Sequence, residues 1–408
     1  MADYKTKDIR NIALLGHGSE GKTTLTEAML FAAGMIDRQG KVEAGTTVTD
    51  FDAEENKRGI SISAATAPVE WKGTKINLID VPGYFDFIGE MMGPLRVVET
   101  AAIVVGAVSG LTVGAEKAWA YAKKNNVCRM FIVNRMDAEN ANYEKTIEQL
   151  REKFGSSVVP LMLPIGEGAK FTGVVNVLEN KAYSGKGKDL KEIPVPADMA
   201  PAIENALAEI TEAAAEAVDE LLEKYFEEGE LSHEEILQGF SAGMKSGSIV
   251  PAVPVSAVTG VGVAKLLDVM SAYLHSPEEA SFAGVNPKND EEIIREGKTS
   301  EPFSAFVFKT IADPFVGKLS MLRVCSGTLT SGTALYNSSC EKTEKAGGLF
   351  LLRGKNQLSV SQVSAGDIAA LSKLQFTNTG DTLCDAANPI RYEKISFPEP
   401  SVPVSYTH

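Results

Sequence analysis

The stretch Gly16-His17-Gly18-Ser19-Glu20-Gly21-Lys22-Thr23 decides the fold of this chain. It matches G-x-x-x-x-G-K-[ST], the phosphate-binding loop of P-loop nucleotidases. An apolar run over residues 8–15 precedes it, and residues 24–31 follow with apolar side chains near helical spacing. Strand, glycine-rich loop and helix are the setting that this motif requires, which an accidental glycine-rich turn would lack. The stretch therefore predicts a nucleotide-binding α/β domain.

The residue types in this loop suit a polyphosphate. Glycines let backbone amides converge on an anion, and the N-terminus of the following helix adds partial positive charge. Lys22 is expected to reach the β- and γ-phosphates, and the Thr23 hydroxyl to ligate Mg²⁺. The predicted phosphate-binding residues are His17, Gly18, Ser19, Glu20, Gly21, Lys22, Thr23 and Thr24.

Composition narrows the class of protein. The chain has 408 residues, of which 44% are hydrophobic and 23% charged, and it contains no apolar run of the length that spans a bilayer. Its four cysteines are scattered and its N-terminus lacks the design of a signal peptide, which is typical of a cytoplasmic protein. The net charge of −14 argues against non-specific coating of nucleic acid, but leaves room for a local basic patch that docks on RNA. We expect a monomer that binds neither membrane nor DNA.

A second nucleotide-contacting element is predicted at Asp80-Val81-Pro82-Gly83-Tyr84. It ends the second strand of a predicted hairpin over 67–79, and a long polar loop over 34–62 precedes that hairpin. A carboxylate and a glycine in this position serve Mg²⁺ and the γ-phosphate in such nucleotidases. D-x-x-G alone is common in acidic turns, so its weight comes from its place one hairpin after the phosphate loop.

The predicted base-reading element is Asn134-Arg135-Met136-Asp137, which follows a buried strand over 128–133. It approximates N-K-x-D, and an aspartate can accept hydrogen bonds from both donors on the Watson–Crick edge of guanine. Taken alone, an Asn…Asp strand end is more often a helix cap. Arg135 stands where lysine is usual, and its stem or guanidinium can pack on the base. The pair Ser256-Ala257 ends a later strand and could offer a backbone amide to the guanine O6.

Alternating strands and helices predict a doubly wound, mostly parallel sheet, with the ligand at the carboxyl ends of the strands. Residues 158–250 interrupt this order with short strands, one long helix over about 200–227 and another that begins at the N-cap Ser232. Later short β-like runs predict a small antiparallel barrel. The predicted organisation is a nucleotide-binding domain over 1–280 with an inserted α+β subdomain over about 158–250, a linker over 281–300, a β-barrel domain II over 301–395, and the start of a further domain over 396–408.

Taken together, these motifs resemble elongation factor G among the translational GTPases. Thr24-Leu25-Thr26-Glu27 is similar to the family's T-L-T-E, and Arg58-Gly59-Ile60-Ser61-Ile62 to its R-G-I-T-I. The segment from Phe308 to Leu319 matches F-K-x-x-x-D-P-F-x-G-x-L. The resemblance implies GTP and GDP as ligands, Mg²⁺ as cofactor, and the ribosome, with its RNA and proteins, as partner. Residues 397–404 resemble the beginning of the family's third domain, so we expect a piece of a longer protein, the alternative being a natural protein without the later domains.

The resemblance also implies roles for single residues. Thr23 and Ser61 would ligate Mg²⁺ directly and Asp80 through water, while Lys22 would neutralise phosphate charge and the Gly83 amide would sense the γ-phosphate. Asn134, Asp137 and the backbone of Ser256 and Ala257 would read guanine.

Besides Arg135, three residues depart from the family pattern. Tyr84 stands where the elongation factors have a histidine that orients the attacking water. A phenol can hydrogen-bond water but lacks the geometry and protonation range of an imidazole. Ser61 replaces the switch threonine and keeps a hydroxyl, whereas Ser19 replaces an aspartate that is linked in some relatives to a monovalent cation. These traits are similar to those of a divergent group of paralogues.

Two function classes therefore stay open. One is a GTPase, stimulated by the ribosome, that converts GTP to GDP and phosphate with Tyr84 as the water-positioning residue. The other is a ribosome-associated, GTP-binding regulator with slow or no hydrolysis. A variant of the first is a ribosomal-protection protein.

Overall fold

The computed structural model describes residues 4–313 and 317–399. The helices of this part are α1 (Lys22–Ala32), α2 (Ala53–Arg58), α3 (Gly89–Leu95), α4 (Val113–Lys124), α5 (Tyr143–Phe154), α6 (Ala200–Glu216), α7 (Asp219–Glu228), α8 (His233–Ser246) and α9 (Val263–Tyr273). Strands of the first 280 residues are β1 (Ile9–Gly16), β2 (Ala65–Trp71), β3 (Thr74–Asp80), β4 (Thr100–Gly106), β5 (Cys128–Asn134), β6 (Val158–Pro160), β7 (Met162–Ile165), β8 (Gly173–Asn176), β9 (Lys181–Ser184), β10 (Lys191–Ile193) and β11 (Val250–Pro254). The later strands are β12 (Ser281–Val285), β13 (Glu292–Glu296), β14 (Ser304–Asp313), β15 (Gly317–Ser326), β16 (Thr328–Thr330), β17 (Ala334–Asn337), β18 (Lys342–Lys345), β19 (Leu349–Arg353), β20 (Asn356–Ser359), β21 (Gln362–Ser364), β22 (Ile368–Ser372) and β23 (Thr382–Cys384).

A seven-stranded sheet organises the first domain, in the order β2-β3-β1-β4-β5-β11-β6. All neighbouring strands run parallel except β2, which pairs antiparallel with β3 at one edge. Central strands such as β4 are buried along their whole length, as expected where helices cover both faces of a parallel sheet. The predicted α/β fold is confirmed. Its parallel strands bring the loops after β1, β3, β5 and β11 to the same end of the sheet.

The insertion has its own antiparallel sheet, in the order β10-β9-β8-β7, and three helices. The single helix predicted over 200–227 is wrong, because the chain breaks into α6 and α7 at Val218, whose backbone is extended. Alanines keep helix propensity high up to residue 217, but Asp219 and Glu220 then open a new first turn, where a helix N-terminus favours negative charge. Helix α8 begins at the predicted N-cap Ser232, which forms a capping box with Glu235.

The second domain is built on an eight-stranded antiparallel sheet, in the order β18-β17-β23-β14-β15-β22-β19-β20. It surrounds a hydrophobic cluster of its own, which includes Val307, Leu322 and Leu371. The segment predicted as a linker contains a β-hairpin, β12 with β13, so this connection is structured. Pro314, Phe315 and Val316 of the family motif, and residues 400–408 of the predicted further domain, lie outside the described residues.

Buried polar groups join the two domains. The Lys75 ammonium on β3 donates to both carboxylate oxygens of Asp367, each at 2.7 Å, and Asn77 donates to the same carboxylate at 2.9 Å. Lys309 of β14 reaches in the other direction, to Ser63, Ala64 and Glu90 of the first domain. Helices long and apolar enough to cross a membrane are absent from the described residues.

Candidate functional site

The phosphate loop lines a cavity of about 240 Å³. Gly21 has a left-handed backbone, with φ of 86°, and a Cβ there would lie 2.6 Å from the Asn134 amide nitrogen. Only glycine combines that conformation with that close approach. The lining residues are Gly18, Ser19, Gly21, Lys22, Thr23, Thr24, Val42, Glu43, Asp50, Gly59, Ile60, Ser61, Gly83, Tyr84 and Arg135.

Lys22 supplies the cavity's buried positive charge. Its ammonium donates to the carbonyl oxygens of Gly16 at 3.2 Å and His17 at 2.8 Å. Burial lowers the pKa of Lys22, because the charged form loses solvation, while the charges of Asp80 and Glu20 oppose that shift. The negative charge of an anionic ligand would compensate the Lys22 ammonium for its lost solvation, so the site favours phosphate.

Hydroxyl and carboxylate oxygens converge beside Lys22. Oδ2 of Asp80 accepts from the Thr23 and Thr49 hydroxyls, each at 2.8 Å, and the oxygens of Thr23 and Ser61 lie 3.1 Å apart. Oδ1 of Asp80 is buried and has no hydrogen-bond partner in the described part of the chain. Burial raises the pKa of Asp80, with the nearby charge of Lys22 opposing the shift. An all-oxygen donor set with an unpaired buried carboxylate oxygen fits Mg²⁺.

Asp50 belongs to the same cluster, and sequence reasoning missed it. Burial, and next the charge of Asp80, raise the pKa of Asp50 to about 7, although a hydrogen bond from Ser61 opposes the shift. Thr49, which bonds Asp80, was missed too. The one signal for both was the length of the polar loop over 34–62, since a long loop inside a compact domain is usually functional.

The side chain of Asn134 ties three loops together. Its amide nitrogen donates to the Glu20 carbonyl of the phosphate loop at 2.9 Å, and its amide oxygen accepts from the Ala257 backbone at 3.0 Å. The same backbone amide of Ala257 was predicted to face a base. In this structure Asn134 therefore acts as a brace between the loops after β1, β5 and β11.

Asp137 and Ser256 lie next to this brace. The Ser256 hydroxyl donates to Oδ1 of Asp137 at 2.6 Å and accepts from the Thr259 amide at 3.1 Å. Arg135 extends over the phosphate loop, where its guanidinium donates to the Ser19 carbonyl. Of this group only Arg135 lines the cavity, so the residues predicted to read a base form a neighbouring cluster.

The Gly83-Tyr84 pair closes one side of the cavity. A Cβ on Gly83 would lie 2.3 Å from the Lys22 ammonium and 2.6 Å from the Gly18 amide nitrogen, so only glycine fits this approach. Tyr84 is about a third exposed, and its hydroxyl lies 3.2 Å from that of Ser19. The site thus brings Tyr84 to the loop that carries Lys22 and Thr23.

His17 and Glu20 do not line the cavity. The His17 ring packs on Phe85, with centroids 5.8 Å apart. The Ser109 hydroxyl donates to the Glu20 carboxylate, whose two oxygens lie 2.9 and 3.0 Å from it. Glu27, which the sequence shows only as part of the T-L-T-E motif, anchors the long polar loop over 34–62. Its buried carboxylate accepts from the Gly40 amide at 2.7 Å and the Val48 amide at 2.6 Å.

Comparison with known proteins assigns both domains to families. The family model of the elongation factor Tu GTP binding domain matches residues 7–276, and that of elongation factor G domain 2 matches residues 302–386. A crystal structure of a protein from Thermus thermophilus is similar over 97% of this chain, with 32% sequence identity and a TM-score of 0.85. This chain covers 57% of that protein.

Proposed function

The chain belongs to the elongation factor G-like translational GTPases, and from this premise we propose that it binds GTP and GDP with Mg²⁺ and acts on the ribosome. The observation that carries the proposal is the Asn134 brace. It joins the phosphate loop to the loops after β5 and β11, so the cavity and the Asp137 cluster act as one site.

The phosphates occupy the cavity in this proposal. Backbone amides of residues 18–23 hold the β-phosphate at the N-terminus of α1, where the helix dipole favours negative charge. Lys22 exchanges its carbonyl partners for phosphate oxygens, since its buried ammonium is already aimed at the loop. The Gly83 amide, pressed against the same loop, contacts the γ-phosphate.

The metal would be held by the oxygens of Thr23 and Ser61, with Asp80 and Asp50 beside them. When bound, Mg²⁺ supplies positive charge against the phosphates and against the two buried carboxylates. Ser61 lies in the loop before β2, so its contact with Thr23 links that loop to the phosphate site.

In this proposal Asp137 provides the selectivity for guanine. Its carboxylate is oriented by the Ser256 hydroxyl and can accept from the N1 and N2 donors of guanine, which adenine does not present together. Asn134 supports this cluster through both ends of its amide, and because an amide nitrogen carries two hydrogens it can also donate to the base.

The two candidate functions differ in how fast the protein hydrolyses GTP. A ribosome-stimulated GTPase needs Tyr84 or a ribosomal group to position the attacking water, and Tyr84 lines the cavity. The second candidate, a GTP-binding regulator with slow hydrolysis, is favoured by the same residue, since a phenol lacks the hydrogen-bonding geometry of the imidazole expected at this position. In both cases we propose a cytoplasmic monomer whose β domain contacts ribosomal RNA.

Equilibrium binding and single-turnover hydrolysis test these proposals. GTP and GDP should bind, and ATP should not compete with them. Removing Mg²⁺ should weaken the binding of GTP more than that of GDP. Hydrolysis with and without ribosomes, by the natural protein and by Tyr84→His, then separates the candidates. Rapid hydrolysis by the natural protein on ribosomes contradicts the regulator, and competition by ATP contradicts the assignment of Asp137.

A further inference from the structure

Gly18 leaves room for an aromatic ring. Its backbone is in an ordinary conformation, so glycine is not needed there for its φ angle. A Cβ on Gly18, however, would lie 2.8 Å from Cε2 and Cζ of Tyr84 and 3.0 Å from Cε1. Real Cβ contacts are longer than this, so the hydroxyl end of the Tyr84 ring lies where any larger residue at position 18 would place its side chain.

Ser19 holds the end of the same ring. Its hydroxyl lies 3.2 Å from the Tyr84 hydroxyl, and either group can donate. Ser19 has a φ of 65°, which is uncommon for a residue other than glycine, and its carbonyl accepts from the Arg135 guanidinium. The backbone of Ser19 is therefore bonded to Arg135, in the loop after β5, and its side chain contacts Tyr84.

The chain just before Tyr84 rests on the same loop. The close packing of Gly83 against the Gly18 amide and the Lys22 ammonium leaves no room for a larger residue. Tyr84 thus packs on the phosphate loop in three ways: through Gly83, which precedes it in the chain, through its ring at Gly18, and through its hydroxyl at Ser19.

We propose that Gly18 and Ser19 are positioning residues that hold the Tyr84 phenol over the phosphate cavity, Gly18 by giving the ring its space and Ser19 by bonding its hydroxyl. The position of the phenol is then set by the phosphate loop itself. With Ser19 donating to Oη, the Tyr84 hydroxyl hydrogen faces an acceptor in the cavity, such as a phosphate oxygen or a water.

The placement of Tyr84 can be measured without nucleotide. The chain contains ten tyrosines. Incorporation of 3-fluorotyrosine gives one ¹⁹F resonance for each, and Tyr84→Phe identifies the resonance of Tyr84. The test variants are Gly18→Ala and Ser19→Ala. The matched controls are Gly89→Ala, where a Cβ would meet only Phe397 at 3.9 Å, and Ser271→Ala, which removes a hydroxyl bond within α9.

Both test variants should shift or broaden the Tyr84 resonance and leave the other nine in place, while the controls should leave the Tyr84 resonance unchanged. A Tyr84 resonance that does not respond to Ser19→Ala overturns the proposal, and so does one that responds equally to Ser271→Ala. Ser19→Ala removes a single exposed oxygen, so it provides the test even where Gly18→Ala fails to fold.

A kinetic measurement extends the test and, unlike the resonance, rests on the proposed function. Where the natural protein hydrolyses GTP on ribosomes, Ser19→Ala should slow single turnover at saturating GTP about two- to tenfold, the effect of one hydrogen bond. In the Tyr84→Phe background, Ser19→Ala should cause no further loss. A full additional loss there contradicts the proposal. Failure to bind guanine nucleotide contradicts the proposed function and leaves the resonance test intact.

Discussion

At the scale of single residues, we propose that Asp137 determines how the site distinguishes one purine from another. Guanine offers the carboxylate a donor at N1 and a second donor at N2, whereas hypoxanthine offers only N1. The Asp137→Asn variant exchanges one acceptor oxygen for a donor, so it should weaken GTP binding by about 1.5–3 kcal/mol, or about ten- to 150-fold in Kd. Binding of ITP should weaken less, and titration calorimetry with both nucleotides measures the difference.

The control for this substitution is Glu139→Gln, an exposed carboxylate two residues away that loses the same charge. Its affinities for GTP and ITP should match those of the natural protein. If Asp137→Asn weakens GTP and ITP by the same factor, then Asp137 does not contact N2 of the base.

Asp50 gives the nucleotide-free protein a pH-dependent stability. Because burial raises its pKa to about 7 in the folded state, the folded protein binds a proton at pH values where the unfolded chain, with a carboxyl pKa near 3.8, has lost it. This contribution is present below the unfolded pKa and is lost as pH rises through 7. We expect the free energy of unfolding in EDTA to fall between about pH 5 and 7, by up to about 1.4 kcal/mol per pH unit, and to level off above pH 7.

Urea unfolding at pH 5, 6, 7 and 8 measures this slope and the plateau above it. The Asp50→Asn variant should flatten it and should be more stable than the natural protein at pH 8, because it removes one of two neighbouring buried carboxylates. Asp37→Asn, at an exposed position, should keep the natural slope. An unchanged slope in Asp50→Asn would assign the pH dependence to another group.

At the scale of elements, a lysine from the second domain connects two segments that flank the nucleotide site. Lys309 on β14 donates to the Ala64 carbonyl at 2.8 Å, to the Ser63 hydroxyl and to Glu90 in the first turn of α3. Glu90 also accepts from the Ala64 amide at 2.7 Å. The segment after Ser61 and the segment after Tyr84 are therefore joined through one ammonium group.

Replacing Lys309 with methionine should loosen both segments. Hydrogen exchange, followed by mass spectrometry, should quicken over 60–64 and 89–95, and the free energy of unfolding should fall by about 1–3 kcal/mol, as expected when a partly buried charged hydrogen bond is lost. Lys345→Met, at an exposed position on β18, should change neither. Faster exchange in only one of the two segments would show that Lys309 does not link them.

Local patterns explain which elements could be predicted from the sequence. The strands and helices around the phosphate loop follow from apolar runs and one glycine motif, because those signals span fewer than about 20 residues. The break at Val218 could not be predicted, since alanine and glutamate favour helix on both sides and the backbone of that one residue decides the outcome. Lys309 was recognised only within a motif, because its partners lie 219 to 246 positions away.

The same limit applies to the site. Thr23, Lys22 and Gly83 were predicted because they belong to spaced motifs, and all three line or border one cavity. Asp50 carries no spacing signal, and only the folded chain brings it to Asp80. The bonds of Asn134 to the loops after β1 and β11 were not predicted, because the sequence shows a residue's type but not which of its neighbours satisfies its hydrogen bonds. Its contact with a base stays a prediction.

At the scale of the whole molecule, the buried pair of Lys75 and Asp367 couples the two domains. Lys75 is almost fully buried, and its partner carboxylate is held by Asn77 and by the Ile368 amide as well. Lys75→Met leaves that carboxylate buried without its cation, which costs about 3–5 kcal/mol. Because the loss falls on the boundary, we expect scanning calorimetry to resolve two transitions in place of a single cooperative one.

A matched lysine separates this effect from a general loss of charge. Lys72 lies three residues earlier and pairs with Asp268 at 2.7 Å, but its side chain is 64% exposed and both residues belong to the first domain. Lys72→Met should cost no more than about 1 kcal/mol and keep the natural shape of the transition. If the two variants unfold alike, the pair does not hold the domains together. The coupling of the nucleotide site to the β domain would then rest on contacts such as that of Lys309.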